Sequence, residues 1–273
     1  SQVPRLCDVA TFCVTYVPLF AVMTGQYIFE DFDGQEMTKG MLHALDRIAA
    51  NASKELASYG PDALAGLALA AASGNDVKRE ILESICMKLS AINDDGAKES
   101  LSDFSASSLT KLCWSLAVAN YRNKKIMSGI GTEIANRSCE FSGEELAKCV
   151  AAFAELQFFH EEMMPEISVQ LMWKVDQLSA RSLAEVAVSC AKLDFCKQPL
   201  FDWLASRMCL RDEDRTLYDI SSMVWAFSKC SVQHEALCQT AAQDALKTGE
   251  LTEQEHARLL SAFGRPHLDF PVQ

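Results

Sequence analysis

From Ser105 the chain sets Leu109, Leu112, Cys113, Leu116 and Ala117 at i, i+3, i+4, i+7 and i+8, one apolar face of an amphipathic helix. Ser105 stands at the start of that face as a helix N-cap. The polar run from Asn120 to Lys125 then breaks the pattern, and Ile126, Ile130 and Ile134 begin a second helix. The unit is a helical hairpin. It repeats at a step of 37 residues: Ser105 maps to Ser142, Ser179 and Thr216, all capping types. Leu109 maps to Leu146, Leu183 and Ile220, and Ala117 to Ala154, Ala191 and Ser228. In the second helix Ile126 maps to Met163, Leu200 and Leu237, and Ile130 to Ile167, Leu204 and Ala241.

A backward step of 45 aligns Leu64, Leu67 and Ala72 with the first helix and Ile81, Ile85 and Leu89 with the second. The extra residues predict a long polar loop from Asn93 to Ser100. Leu6, Val9, Ala10 and Cys13 predict an earlier, uncapped first helix, with its partner near Met41, Leu45 and Ile48. An acidic insertion over residues 18–36 separates them. Thr252, Leu259, Leu260, Ala262 and Phe263 predict a terminal helix stopped by Gly264 and Pro266. The expected architecture is therefore all-α. One α-solenoid of tandem helical hairpins, an ARM/HEAT-like superhelix, spans residues 1–273, with repeats at 2–59, 60–104, 105–141, 142–178, 179–215 and 216–251 and a helix at 252–264. Trp114, Ala151, Val188 and Trp225 share a phase off the main stripe and are expected to pack between repeats.

Composition agrees with a packed array: 49% of the 273 residues are hydrophobic, and Gly (12) and Pro (7) are few. The formal charge of -12 runs against a surface made to wrap nucleic acid, although a local basic face is compatible with it. The 11 cysteines form no C-x-x-C and are expected to be reduced, buried thiols. The apolar stretch from Val9 to Met23 is cut by Pro18 and too short to cross a bilayer, so no membrane insertion is expected. The chain begins at Ser1, which suggests a processed N-terminus or a fragment and is compatible with a targeting peptide removed from it.

Catalytic patterns are missing. There is no phosphate-binding G-x-x-x-x-G-K-[ST], no G-x-G-x-x-G, no G-x-S-x-G and no H-E-x-x-H. His160-Glu161 lacks the second zinc-binding histidine. His43, His160, His234, His256 and His267 are scattered, and His160 and His234 are expected to be solvated turn residues. The chain is read as a non-enzyme with no cofactor, no metal and no evident small-molecule substrate.

The phrases Ser-Leu-Thr-Lys-Leu-Cys-Trp-Ser-Leu-Ala (108–117), Ser-Leu-Ala-Glu-Val-Ala-Val-Ser-Cys-Ala-Lys-Leu (182–193) and Ile-Ser-Ser-Met-Val-Trp-Ala-Phe-Ser-Lys (220–229) resemble the first helix of octotricopeptide and heptatricopeptide repeats. Those are related to the repeats of FAST-kinase-like and RAP-domain proteins. They are also similar to repeats in kinetoplastid RNA-editing substrate-binding complexes. The resemblance runs from about Leu6 to Phe263 and implies RNA binding in a mitochondrion or plastid, on transcripts or ribosomal RNA. The tail from Arg265 is too short for a RAP domain, which argues against a nuclease.

By analogy with other solenoids, the second helix and the turn before it would line a concave RNA-binding face. Arg122, Lys124 and Lys125 in one repeat, and Lys197 and Arg207 in another, are the candidate phosphate contacts. Lys148, Lys192 and Lys229 lie on first helices. The basic stripe is broken, because Lys125 maps to Glu162, Pro199 and Ala236. That break and the acidic charge support the other expectation, a protein-interaction scaffold or accessory subunit of a large organellar complex.

Overall fold

The computed structural model describes residues 56, 59–72, 79–95, 101–248 and 252–263. The expected hairpin before Leu56, its acidic insertion, His43, residues 96–100 of the expected loop, and the stop at Gly264 and Pro266 lie outside the described residues. Among the described residues every regular element is helical and none is a strand. The α-helices are α1 (Pro61–Ala72), α2 (Arg79–Asp95), α3 (Ala106–Val118), α4 (Lys124–Asn136), α5 (Gly143–Glu155), α6 (Met163–Trp173), α7 (Ala180–Lys192), α8 (Gln198–Cys209), α9 (Leu217–Lys229), α10 (Glu235–Thr248) and α11 (Glu253–Phe263). The chain forms two compact units, Ser1–Ile134 and Ala135–Gln273, divided in the last turn of α4.

In the first unit α1 packs against α2 and along α3. It is buried almost all round, from Leu64 to Ala72, because its alanines let neighbouring backbones approach closely. One end of the α1–α3 seam is polar: Asp62 accepts hydrogen bonds from the Ser105 hydroxyl at 3.3 Å and from the Ser108 hydroxyl. The loop expected from Asn93 starts later than the polarity suggested, since Asn93, Asp94 and Asp95 continue α2.

In the second unit the first helices of successive hairpins form one packed layer, α5 on α7, α7 on α9 and α9 on α11. The second helices form another, α6 on α8 and α8 on α10. This sequential two-layer packing is that of an α-solenoid. Ala147, Ala151, Ala184, Ala187, Ala191 and Ala226 are buried in the first layer. The caps fall where the 37-residue step puts them. The side chains of Ser105, Ser142, Ser179 and Thr216 accept from the backbone N–H three residues on. Glu145 and Asp219 complete capping boxes at two of them.

Four first helices, α3, α5, α7 and α9, end the same way. Asn120, Gln157, Asp194 and Ser231, successive at 37 residues, have φ of 47°, 53°, 55° and 56°. The N–H groups of Tyr121, Phe158, Phe195 and Val232 then donate back to Leu116, Phe153, Cys190 and Phe227. This is the Schellman closure without glycine. An L side chain in that left-handed region is disfavoured, so Gln157→Gly is expected to stabilise the protein by roughly 0.5–1 kcal/mol. A urea titration reads the shift, and destabilisation would contradict the assignment.

Cations at or near second helices tie them to the turn that precedes their own hairpin. The Lys174 ammonium donates to the Cys139 carbonyl at 2.9 Å and to the Phe141 carbonyl. One repeat later Arg211 donates to the Asp176 and Leu178 carbonyls at 3.2 and 2.7 Å. In the first unit Lys88 does the same to Leu56 and Tyr59 at 2.7 and 2.9 Å. These cations satisfy carbonyls of the short 3-10 turns between hairpins, which no helix ladder reaches.

Candidate nucleic-acid interface

The second helices begin at one repeat phase occupied by Asn123, His160, Lys197 and His234. Asn123 Oδ1 accepts from the Ile126 N–H at 3.2 Å. His160 Nδ1 accepts from Met163 and His234 Nδ1 from Leu237, both at 3.2 Å. Each ring stands edge-on to a buried phenylalanine, Phe153 at 6.5 Å and Phe227 at 6.3 Å. The expectation that these histidines are merely solvated is corrected: an imidazole nitrogen is a helix-capping acceptor, and the turn sequence supplies no other at that phase.

Lys197 breaks that rule. It stands at the N-cap of α8 with extended backbone and makes no capping bond, because an ammonium has no acceptor. It is exposed, and its Nζ lies 5.7 Å from the ring centre of Phe195. The same place in the first unit carries Arg122, Lys124 and Lys125, all exposed, around the start of α4. Arg122 Nε reaches Asn120 Oδ1 at 3.4 Å. A helix N-terminus presents unpaired N–H groups and positive potential, and cations beside it make an anion-receptive edge. The structure therefore brings Arg122, Lys124 and Lys125 together and sets Lys197 at the equivalent point of another hairpin.

Arg207 does not join them. It lies in the last turn of α8, half-buried, in an ion pair with Asp176. Its Nε is buried without a hydrogen-bond partner. Its charge is engaged by the neighbouring repeat, so the structure gives it a packing role. Two first-helix lysines are likewise engaged, Lys192 with Glu155 and Lys229 with Asp194 at 3.8 Å. Lys148 is exposed on α5. At the α6 turn the sign reverses, with Glu161 and Glu162 exposed. Trp114, Val188 and Trp225 are half-buried, and the Lys229 ammonium lies 5.9 Å from the Trp225 ring centre.

Sequence reasoning missed an aromatic at this edge. Phe159 is 45% exposed in the α5–α6 turn and lies 6.2 Å from Phe195, the ring beneath Lys197. Phe159 and Lys197 thus share Phe195 as a neighbour, and an exposed ring near basic side chains can stack an unpaired base. The available signal was an apolar residue, second of the pair Phe158-Phe159, inside a polar turn.

The cysteine expectation is corrected in one place. Cys196 and Cys230 form a disulfide, with Cα atoms 5.5 Å apart, tying the turn before α8 to the end of α9. Burial pushes the Cys190 thiol up to about 12, and burial with the nearby Glu83 carboxylate does the same to Cys86. Cys139 is exposed and free. Among the described cysteines, alkylation of the folded, unreduced protein is expected to modify Cys139 first and to spare Cys86, Cys190, Cys196 and Cys230, as peptide mass spectrometry would show. Rapid labelling of Cys196 without reductant would contradict the pairing.

Among the described residues no cluster of His, Cys, Asp and Glu could hold a metal ion, and no helix is long and apolar enough to cross a membrane. Compared with known families, residues 97–246 match the family described as RNA-editing substrate-binding complex 6 protein. The match covers more than half of the chain and takes in α3 to α9 and most of α10. No curated protein matches the chain.

Proposed function

Since this chain belongs to the family of RNA-editing substrate-binding complex 6 proteins, we propose that it is a non-catalytic subunit of an RNA-editing complex in the mitochondrion. In this reading it contacts single-stranded RNA at the N-termini of second helices, separately in each unit. Arg122, Lys124 and Lys125 receive phosphates at α4, Lys197 does so at α8, and Phe159 supplies a face for a base. The observation that carries the reading is the cluster of three exposed cations around the first turn of α4. The likeness of the first helices to heptatricopeptide and octotricopeptide repeats supports it. RNA targets fit an edge of this kind better than duplex does, because unpaired bases can be splayed and stacked.

The test is the affinity of the full chain for fluorescent oligouridine, compared with Arg122→Glu/Lys124→Glu/Lys125→Glu/Lys197→Glu. At least about a tenfold loss is expected, since phosphate contacts supply most of a sequence-tolerant affinity. Equal binding by the two proteins would remove this edge from RNA recognition. The acidic balance of the rest of the surface favours a second activity, holding other proteins of the same complex.

A further inference from the structure

The second-helix layer of the second unit carries an apolar surface that the RNA edge does not use. Val169 and Trp173 stand one turn apart on α6 and are 43% and 82% exposed. Trp203 and Leu210 stand two turns apart along α8 and its C-cap, and are 51% and 72% exposed. Trp173 and Leu210 are separated by 37 residues, so they occupy the same phase of adjacent hairpins whose second helices pack side by side. Four large apolar side chains on neighbouring helices are far more than scattered exposure, and two of them are tryptophans, the residue most often found as an interface anchor.

The charges around this surface decide what it can receive. Its cations are engaged within the fold: Lys174 on the Cys139 and Phe141 carbonyls, Arg207 on Asp176, Arg211 on the Leu178 carbonyl, and Arg215 on Asp212 and Asp244. The carboxylates are more open. Asp212 is 77% exposed despite its pairing, Glu213 is exposed beside it, and Asp202 is half-buried next to Trp203. The rim is therefore acidic. A nucleic acid would meet repulsion there, and a second copy of a chain carrying -12 would bring like charge.

We propose that the α6–α8 surface around Trp173 and Leu210 is a docking site for a basic amphipathic segment of another protein, with apolar anchors between the tryptophans and Lys or Arg on the acidic rim. Such a site places protein assembly on the second-helix surface and RNA on the second-helix N-termini. It does not depend on the RNA reading.

The full chain is titrated with a fluorescent two-faced leucine/lysine helical peptide, with its leucine/glutamate counterpart and with oligouridine, and its self-association is followed by sedimentation. The leucine/lysine peptide is expected to bind at least about tenfold more weakly to Trp173→Ser/Leu210→Ser, as loss of a central anchor implies. Trp173→Lys is expected to give the same loss; its side chain is mostly in solvent, so folding does not depend on it. Met87→Ser, a control at another exposed apolar residue, is expected to bind as wild type does. The leucine/glutamate peptide is expected to bind at least about tenfold more weakly than its basic counterpart. Undiminished binding by both Trp173 variants, or equal binding of the two peptides, overturns the proposal. A dimer lost in those variants would assign the surface to a second copy, and oligouridine binding lost in them would assign it to RNA; either result also overturns it.

Discussion

Arg215→Ala is expected to destabilise the second unit by about 3 kcal/mol, the cost of breaking a buried ion pair. The Arg215 side chain is 2% exposed and uses its guanidinium on three sides. Nε donates to Asp244 at 2.7 Å, Nη2 to Asp212 at 2.7 Å, and Nη1 to the Met208 carbonyl at 2.9 Å. Removing it leaves the Asp244 carboxylate on α10, itself only 15% exposed, with the more distant Lys247 ammonium at 3.4 Å in place of a 2.7 Å bond. Lysine is a poor substitute, because a single ammonium cannot span the three acceptors held by the planar fork. Arg207→Ala is the internal comparison. Its partner Asp176 is 68% exposed, so its loss is expected to cost about 1 kcal/mol or less. Urea titration followed by circular dichroism separates the two, and equal effects would contradict the distinction.

Phe201→Ala is expected to cost about 3–5 kcal/mol, the range for emptying a buried aromatic site. Phe201 is fully buried on α8, and its ring centre lies 4.9 Å from that of Phe227 on α9, at 59°. The pair joins one hairpin to the next, so the loss falls on an interface between repeats rather than inside one. Phe201→Leu is expected to retain most of the stability, because it keeps apolar volume and loses only the ring contact. A thermal melt of both variants checks the order, and a Phe201→Ala protein as stable as wild type would mean the repeats are not coupled there.

The register of the hairpins was legible because it rests on local chemistry. A Ser or Thr that caps a helix and an apolar residue that faces the core are both recognisable one residue at a time, and the step of 37 repeats them. The left-handed residues were not legible as such: Asn120, Gln157, Asp194 and Ser231 share a conformation but no side-chain type. The cationic clasps hid for a different reason. Lys174 and Arg211 keep the repeat phase, yet a basic residue at a helix end looks the same in sequence whether it meets water or a carbonyl. Arg207 was read as a phosphate contact because Asp176, which engages it, lies in the preceding repeat. The Cys196–Cys230 disulfide spans 34 residues and follows no repeat phase, so no spacing pointed to it. Trp173 and Trp203 fall off the core stripe, but their exposure depends on how the neighbouring helices pack, which a single helix does not encode.

The most direct measurement is the salt dependence of oligouridine binding by the full chain. Four phosphate contacts, by Arg122, Lys124, Lys125 and Lys197, predict a slope of about -3 for the logarithm of the binding constant against that of the salt concentration. The slope is predicted to approach zero when all four are reversed to Glu and to stay near the wild-type value in Arg207→Ala. No binding at low salt, or a wild-type slope that survives reversal of the four cations, would contradict the account.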